Sequence, residues 1–498
     1  MYFRHALIFI HLHLRIIVSN RNPYIIGQKD WDEAATRASG NAILTAGNHI
    51  QYLQDAGENF PAWKSALLSA QQFICIEMYK WDDNAFGKEI RTLLLSKLQE
   101  GVRVYIVYDW LGSLKSHLMG FFTPLKNNGA QVYAFNRWGI LSGFGLMARN
   151  HRKSIIIDGH TAFVAGLCIS SVWSGDPEHG IPPWRDSGLS LRGPVALKVL
   201  DAFLETWKHF PKASFTEEIS QKQAIKTGTD KARIVATELF NSNMLRLDLL
   251  AISFAKSSIW ISDAYFMPAK MYSELLILAA QNGVDVRLLV PRSSDIKWIA
   301  AVSRTQYRTL LEAGVKIYEW NGSMLHAKTL VIDGNWARVG STNMNMTSWF
   351  ANSELDVVLE GEQETAPLVT AYLQDIQHAT EVVLGAAAPR NRRQENRGQS
   401  AALKSKVIAK QMMSLSKHFD GLLRNSVEKK EVVDHSEAYA FLFISIFFMV
   451  TTLLIAYIPA LIGYPLVVAG LFMVVVTATR CYHAFKGLRR NRHKNQQD

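Results

Sequence analysis

Two eight-residue segments share one spacing, H-x-K-x4-D, and each is followed by glycine: His151-Arg-Lys153-Ser-Ile-Ile-Ile-Asp158 and His326-Ala-Lys328-Thr-Leu-Val-Ile-Asp333. Both are rich in β-branched residues, so each reads as a strand, and alternation then puts His and Lys at i and i+2 on one face. The elements ahead of them also recur in order. In the first copy an amphipathic run, Ala62 to Ala70, leads to a strand pattern Phe73 to Tyr79, a helix around Gly87 to Gln99 and a strand pattern Gly101 to Val107. In the second, Leu247 to Lys256 leads to Ser258 to Tyr265, a helix Ser273 to Ala280 and a strand pattern Gly283 to Leu289. Each then turns from a helix end into a further strand, at Asn128-Gly129-Ala130-Gln131-Val132 and Ala313-Gly314-Val315-Lys316-Ile317. Strands alternating with helices, twice over, predict a pseudo-two-fold pair of α/β units with strands buried between helices.

The repeated residues suit phosphoryl chemistry. An imidazole can attack phosphorus or pass a proton near neutral pH, and an ammonium can offset charge on non-bridging oxygens. Seven residues after Asp333 comes Gly340-Ser341-Thr342-Asn343, whose small side chains and amide can approach a phosphate closely. Glu354 follows in Asn352-Ser353-Glu354, and the first copy offers Asp186 in Trp184-Arg185-Asp186. A carboxylate on a ring N–H would fix the tautomer of a catalytic histidine. Any one of these residues is ordinary in a core. The whole constellation, twice, is not.

Charge separates the chain into parts. Of the net +11, residues 390 to 430 carry +8, Glu431, Asp434 and Glu437 carry −3 and residues 480 to 498 carry +5, leaving +1 for residues 1 to 389. A body-wide nucleic-acid footprint is not supported, and no nucleic-acid partner is expected. The two basic blocks bracket Ala438 to Ile458, 21 residues without a charge, enough for a transmembrane helix. After Pro459 to Pro465, Leu466 to Thr479 is apolar again; it spans if its helix begins near Leu461, and is otherwise re-entrant. Basic residues on both outer flanks predict a hairpin with the catalytic body on the cytoplasmic side of the cell inner membrane. Ala401 to Leu423 places Leu403, Val407, Met412, Leu415, Phe419 and Leu422 near one helical face among lysines, which suits either an interfacial amphipathic helix or a solvated linker. Ala6 to Val18 is apolar but short and interrupted, a poor signal peptide and a poor span; it reads as surface-membrane attachment or an edge element, with His5, His11 and His13 as bystanders. Cys75, Cys168 and Cys481 lie far apart with no metal-ligand spacing, so neither a disulfide framework nor a structural zinc is expected, and the body belongs in a reducing compartment.

The expected divisions are 1–24, an apolar N-terminal segment; 25–215 and 216–388, the two α/β units; 389–436, a basic linker with an amphipathic helix; 437–480, the hairpin; and 481–498, a basic cytoplasmic tail.

The paired H-x-K-x4-D motifs, with Gly-Ser-Thr-Asn after the second, resemble the phospholipase D superfamily. Within it the chain is similar to bacterial cardiolipin synthases, on Gly40-Asn41, Glu77-Met78-Tyr79, Gly101-Val102-Arg103-Val104, Tyr108-Asp109-Trp110-Leu111-Gly112-Ser113, Trp184-Arg185-Asp186 and Arg192-Gly193-Pro194. The likeness runs from about Gly40 to about Leu384. It implies duplicated α/β/α sandwich domains and a two-step phosphatidyl transfer with no metal or cofactor, on phosphatidylglycerol alone or with another phospholipid such as phosphatidylethanolamine. It implies a catalytic set of His151, Lys153, Asp158, His326, Lys328 and Asp333, with His151 as nucleophile and His326 as acid and base. Asp158 and Asp333 close the motif and look structural. Lys153, Lys328, Ser341 and Asn343 would hold the phosphate, and Asp186 and Glu354 would orient the histidines. The position matching Asn343 in the first copy is Cys168, so one phosphate-binding amide is missing there. A hydrolytic phospholipase D, with water as acceptor, or an alcohol-swapping transphosphatidylase uses the same residues. A nuclease of the superfamily would want a basic groove, and a non-enzymatic membrane scaffold would have only Cys168 to recommend it.

Overall fold

The computed structural model describes residues 28–136, 148–210, 224–238 and 241–384. A helix α1 (Gln28–Ala38) precedes the first copy, which runs β1 (Thr45–Gln54), α2 (Asp55–Ser69), β2 (Phe73–Met78), α3 (Ala85–Gln99), β3 (Arg103–Asp109), the short helices α4 (Leu114–Leu118) and α5 (Thr123–Asn127), β4 (Gln131–Phe135), β5 (Lys153–Ile157), β6 (Thr161–Ala165), β7 (Ser187–Arg192) and α6 (Pro194–Trp207). The second copy repeats it with β8 (Asp230–Thr237), α7 (Asn243–Phe254), β9 (Ser258–Asp263), α8 (Lys270–Gln281), β10 (Asp285–Pro291), α9 (Lys297–Thr305), α10 (Tyr307–Glu312), β11 (Lys316–Trp320), β12 (Lys328–Ile332), β13 (Trp336–Gly340), α11 (Met346–Phe350), β14 (Glu354–Glu360) and α12 (Glu362–Gln377), and β15 (Ala379–Val382) ends the described chain. Local chemistry sets several boundaries. Asn84 caps α3 by accepting from the Gly87 N–H, and Pro194 opens α6.

The strands form one sheet in the order β15-β11-β10-β9-β12-β13-β14-β8-β1-β7-β6-β5-β2-β3-β4. β2, β3 and β4 are parallel, as are β9, β10 and β11, and the other pairings are antiparallel. The order reads outward alike from the central β1 and β8 pair, which is the pseudo-two-fold expected from the repeat. Every residue of β2, β5 and β12 is buried, so their apolar residues fill both faces and the polar ones among them, Glu77, Lys153, Ser154, Lys328 and Thr329, are buried too.

The two halves share a core. Leu200 and Phe203 of α6 belong to the same apolar cluster as Val331, Val339, Leu355 and Leu368 of the second copy. The boundary expected at residue 25 needs correcting, because α1 packs with the second half: Ala35 and Ala38 join Met244, Leu247 and Leu250 of α7, Trp31 Nε1 donates to Glu360 at 2.9 Å, and Arg233 reaches Thr36 at 3.0 Å. Chain order placed α1 with its neighbours in sequence; its apolar face decides otherwise. The expectations for 1–24, 389–436, the hairpin 437–480 and the tail 481–498 lie outside the described residues. Among the described residues no helix is long and apolar enough to cross a membrane.

Candidate active site

β5 and β12 each begin on the motif lysine, and the histidine sits two residues earlier on extended chain. Main-chain hydrogen bonds fix that approach from the other half. His151 N–H donates to Ser353 O at 2.8 Å and Ser353 N–H to Arg149 O at 2.8 Å. His326 N–H donates to Arg185 O at 2.7 Å and Arg185 N–H to Met324 O at 2.8 Å. Each motif is thus stitched to the residue just ahead of the other copy's carboxylate.

The consequence is a crossed pairing. His151 Nδ1 lies 2.9 and 3.1 Å from the Glu354 oxygens, and His326 Nδ1 lies 2.7 Å from Asp186 Oδ2. The carboxylates are themselves held: Asn352 Nδ2 donates to Glu354 at 3.1 Å, and Trp173 Nε1 and the Ser187 N–H each donate to Asp186 at 2.8 Å. With Nδ1–H given to a carboxylate, each imidazole keeps its Nε2 lone pair for chemistry. Lys153 Nζ donates to His151 O at 2.6 Å, while Lys328 Nζ contacts His326 O and lies 3.2 Å from His326 Nε2. Tyr79 and Tyr265 take matching places, 4.8 Å from the His151 ring and 5.9 Å from the His326 ring, each with the neighbouring lysine over its face. Trp173 and Trp184 add a wall beside His326, at 5.3 and 5.6 Å, with no indole counterpart beside His151 among the described residues.

Burial dominates the electrostatics. It lowers His326, with Lys328 pushing the same way and Asp186 opposing, to about 4, and it brings Lys328 down to about 8. Burial also lowers His151, against the pull of Glu354. It would raise Asp186, but His326 and Lys328 outweigh it and hold that carboxyl at about 2; Glu354 is likewise held down by His151 and Lys153 against its burial. Both imidazoles are therefore neutral at pH 7 while both carboxylates are ionised. The stability linkage follows in sign. A histidine with an ordinary value of 6.5 takes its proton in the unfolded chain while folded His326 does not until about 4, so stability falls as pH drops across that interval. Asp186 adds a further loss only between its ordinary 3.8 and about 2. The unfolding midpoint of the parent relative to His326→Gln, which lacks this titration, should fall between pH 7.5 and 5, and a difference that does not change with pH would contradict the assignment.

Not every expected residue enters the cleft. Asp158 and Asp333, the last residues of the motifs, lie at the far ends of β5 and β12. Asp158 accepts from the N–H groups of Gln71, Gln72 and Phe73, and Asp333 from those of Lys256, Ser257 and Ser258. Both sit at positive φ, 52° and 53°, in the turn before glycine. They anchor the start of β2 and of β9, and their inclusion in the catalytic set is corrected to this structural duty: a five-residue strand of about 3.3 Å per residue separates them from the lysines. Ser341 Oγ accepts from the Leu355 N–H at 2.9 Å, and its hydroxyl helps hold the Glu354 carboxyl down, so it supports the carboxylate that orients His151. Asn343 differs, being buried with no partner for its Oδ1 among the described residues. Cys168, its counterpart, is buried in the first-copy core, where burial raises its thiol.

Three contributors were not legible as site residues: Trp173, Tyr265 and Gly166. A Cβ on Gly166 would overlap Asp186 Oδ1, as one on Gly340 would overlap Leu355 O, so both post-strand glycines are required by close approach. Gly166→Ala should displace Asp186 at a cost of about 1–3 kcal/mol in stability and reduce kcat more than it changes KM; unchanged turnover would show that Asp186 can move without consequence.

Comparison with known proteins places this geometry. Residues 249–377 match a family model described as cardiolipin synthase, PLD-like domain. The chain is 33% identical over 362 residues to a cardiolipin synthase of Halalkalibacterium halodurans, covering 70% of each chain. It is 33% identical over 365 residues to one of Geobacillus thermodenitrificans, covering 72% of this chain and 70% of the relative. A phosphatidylserine synthase of Haemophilus influenzae shares the fold, with a TM-score of 0.53 at 15% identity, over 77% of this chain and 99% of that one.

Proposed function

Because this chain belongs to the cardiolipin synthase family of phospholipase D-like proteins, we propose that it transfers a phosphatidyl group from one phospholipid to phosphatidylglycerol through a phosphatidyl-histidine intermediate. The observation that carries the mechanism is the crossed pairing, which presents two neutral imidazoles to one cleft, each oriented through Nδ1 by a buried carboxylate. The anionic phosphate, on binding, favours the protonated form of His326, which takes a proton from solvent onto Nε2; His151 Nε2 then attacks phosphorus, the bond from phosphorus to the head-group oxygen breaks, and the departing oxygen takes that proton, leaving His326 neutral. In the second step His326 takes the proton of an incoming phosphatidylglycerol hydroxyl, whose oxygen displaces His151 from phosphorus. With phosphatidylglycerol as donor too, the products are cardiolipin and glycerol. Lys153, Lys328 and Asn343 offset and hold the phosphate oxygens.

A lipid substrate accounts for the apolar segments near the C-terminus, which we take to tether the body to the cytoplasmic side of the inner membrane. Membranes containing the protein, given head-group-labelled phosphatidylglycerol, should release labelled glycerol and form cardiolipin together, and His326→Ala membranes should do neither. Phosphatidic acid in place of cardiolipin would make water the acceptor and overturn the transferase reading.

A further inference from the structure

The catalytic histidines are recessed, 8% and 5% exposed, and the end of the sheet that holds them is ringed by large apolar side chains open to solvent. Leu118 and Met119 are each 71% exposed, Ile181 52%, Leu111 48%, Met346 47% and Ile296 39%. All six lie where β2, β3, β9 and β10 finish. The Leu111 N–H donates to Asp109 at 2.9 Å, whose other oxygen accepts from the N–H of Asn150, next to His151. His117 Nδ1 is 2.6 Å from the Tyr108 hydroxyl near the end of β3, just ahead of Leu118 and two residues before Met119. Ile181 is on the loop between Trp173 and Trp184, the two indoles beside His326. Asp295, next to Ile296, accepts from the Tyr265 hydroxyl at 2.9 Å, and Asn345, next to Met346, donates to Tyr265 O at 3.3 Å. Single exposed apolar residues are ordinary; six around one mouth, drawn from both halves, make an interaction surface.

We propose that this rim dips into the lipid bilayer, so that the cleft opens directly onto the interface where a phospholipid presents its phosphate. The inference rests on the phosphatidyl-transfer reading and names the surface through which such a substrate arrives. A two-tailed lipid reaching imidazoles this deep without leaving the bilayer needs the mouth pressed against it. An apolar rim that enters the acyl boundary provides that contact. Exposed Lys115 and Arg292 on the same rim suit anionic head groups; of its acids, Asp176 and Asp295 are engaged by His179 and Tyr265, and Glu178 is exposed on the Ile181 loop.

The test uses the full chain in a Cys481→Ser background, which leaves the buried Cys75 and Cys168 in the body. Met119→Cys, Met346→Cys and, as a control, Leu68→Cys at the opposite end of the sheet each carry an environment-sensitive dye, and the protein is reconstituted in phosphatidylglycerol and phosphatidylcholine vesicles with brominated acyl chains. Quenching at 119 and 346 but not at 68 is the expected result. No quenching at the two rim positions overturns the proposal, as does self-quenching between labelled copies, which would make the rim a self-association face. Leu118→Asp with Met119→Asp should lower transfer from vesicle lipid by about tenfold or more, the scale expected for losing two buried aliphatic side chains. Transfer between monomeric short-chain phosphatidylglycerols should stay unchanged; an equal loss on both substrates would assign these residues to the site itself and overturn the docking role. Quenching at 119 and 346, with no transfer by the unlabelled parent, would sink the transferase reading while leaving the docking surface standing.

Discussion

Replacing either His151 or His326 with alanine is expected to reduce phosphatidyl transfer by about ten-thousandfold or more, because each variant removes a group that bonds to or protonates the reacting centre. The two losses should differ in kind. His151→Ala leaves no atom to bond to phosphorus, so rapid quenching after addition of labelled lipid should find no lipid attached to the protein. His326→Ala keeps the nucleophile but lacks the proton relay, so a good leaving group at phosphorus should still load the enzyme, which then releases the label slowly. The protein should remain folded in both cases, since each ring contributes little to the core around it. Labelled lipid on His151→Ala and none on His326→Ala would exchange the two roles. Label on both would mean that neither ring is the unique attacking atom.

The largest effect on stability is expected at Arg338, far from any exposed surface. This fully buried guanidinium on β13 donates to Asp248 at 2.9 and 3.2 Å on α7, to Asp356 at 3.3 Å on β14 and to Thr342 O at 3.0 Å in the loop that carries Asn343. Burial already pushes Asp248 up to about 7 with Arg338 opposing it, and raises Asp356 too. Arg338→Met would strand both carboxyls in the core and should cost about 3–5 kcal/mol. Urea unfolding of the detergent-solubilised protein measures this, and adding Asp248→Leu to Arg338→Met should restore part of the loss. A single variant within about 0.5 kcal/mol of the parent, the range of ordinary surface changes, would show that the network contributes no net stability.

The repeat made most of this architecture legible. The strand patterns at Phe73 and Ser258 and the helices that follow them lie where the spacing predicts, because apolar residues at alternate positions mark a strand and the crossover between two parallel strands is a helix. The strand Ser187–Arg192 was not legible: Ser-Gly-Leu-Ser-Leu-Arg has weak strand character, and its place between β1 and β6 comes from tertiary pairing. The site divides similarly. His151, Lys153, His326 and Lys328 share a local spacing, and spacing is visible in a chain. Which carboxylate serves which imidazole is decided by bridges between Asn150 and Ser353 and between Arg185 and Leu325, and nothing local encodes a contact across the two copies. Trp173 was invisible for the same reason, since its indole acts on Asp186, 13 residues away, only after the intervening loop has folded back. Asp158 and Asp333 show the converse. A residue can belong to the most recognisable motif in the chain and spend its carboxylate entirely on main-chain amides.

The crossed pairing sets a timetable for the newborn chain. His151 leaves the ribosome 203 residues ahead of Glu354, and Asp186 leaves 140 residues ahead of His326. Through that interval the first copy holds an imidazole without its counter-charge and a carboxylate without its imidazole. Neither copy can ripen into a working reaction centre before the last strands of the second are made. The polypeptide is in effect a dimer whose two subunits were spliced end to end, and it stays silent towards lipid until synthesis of its catalytic body is essentially complete.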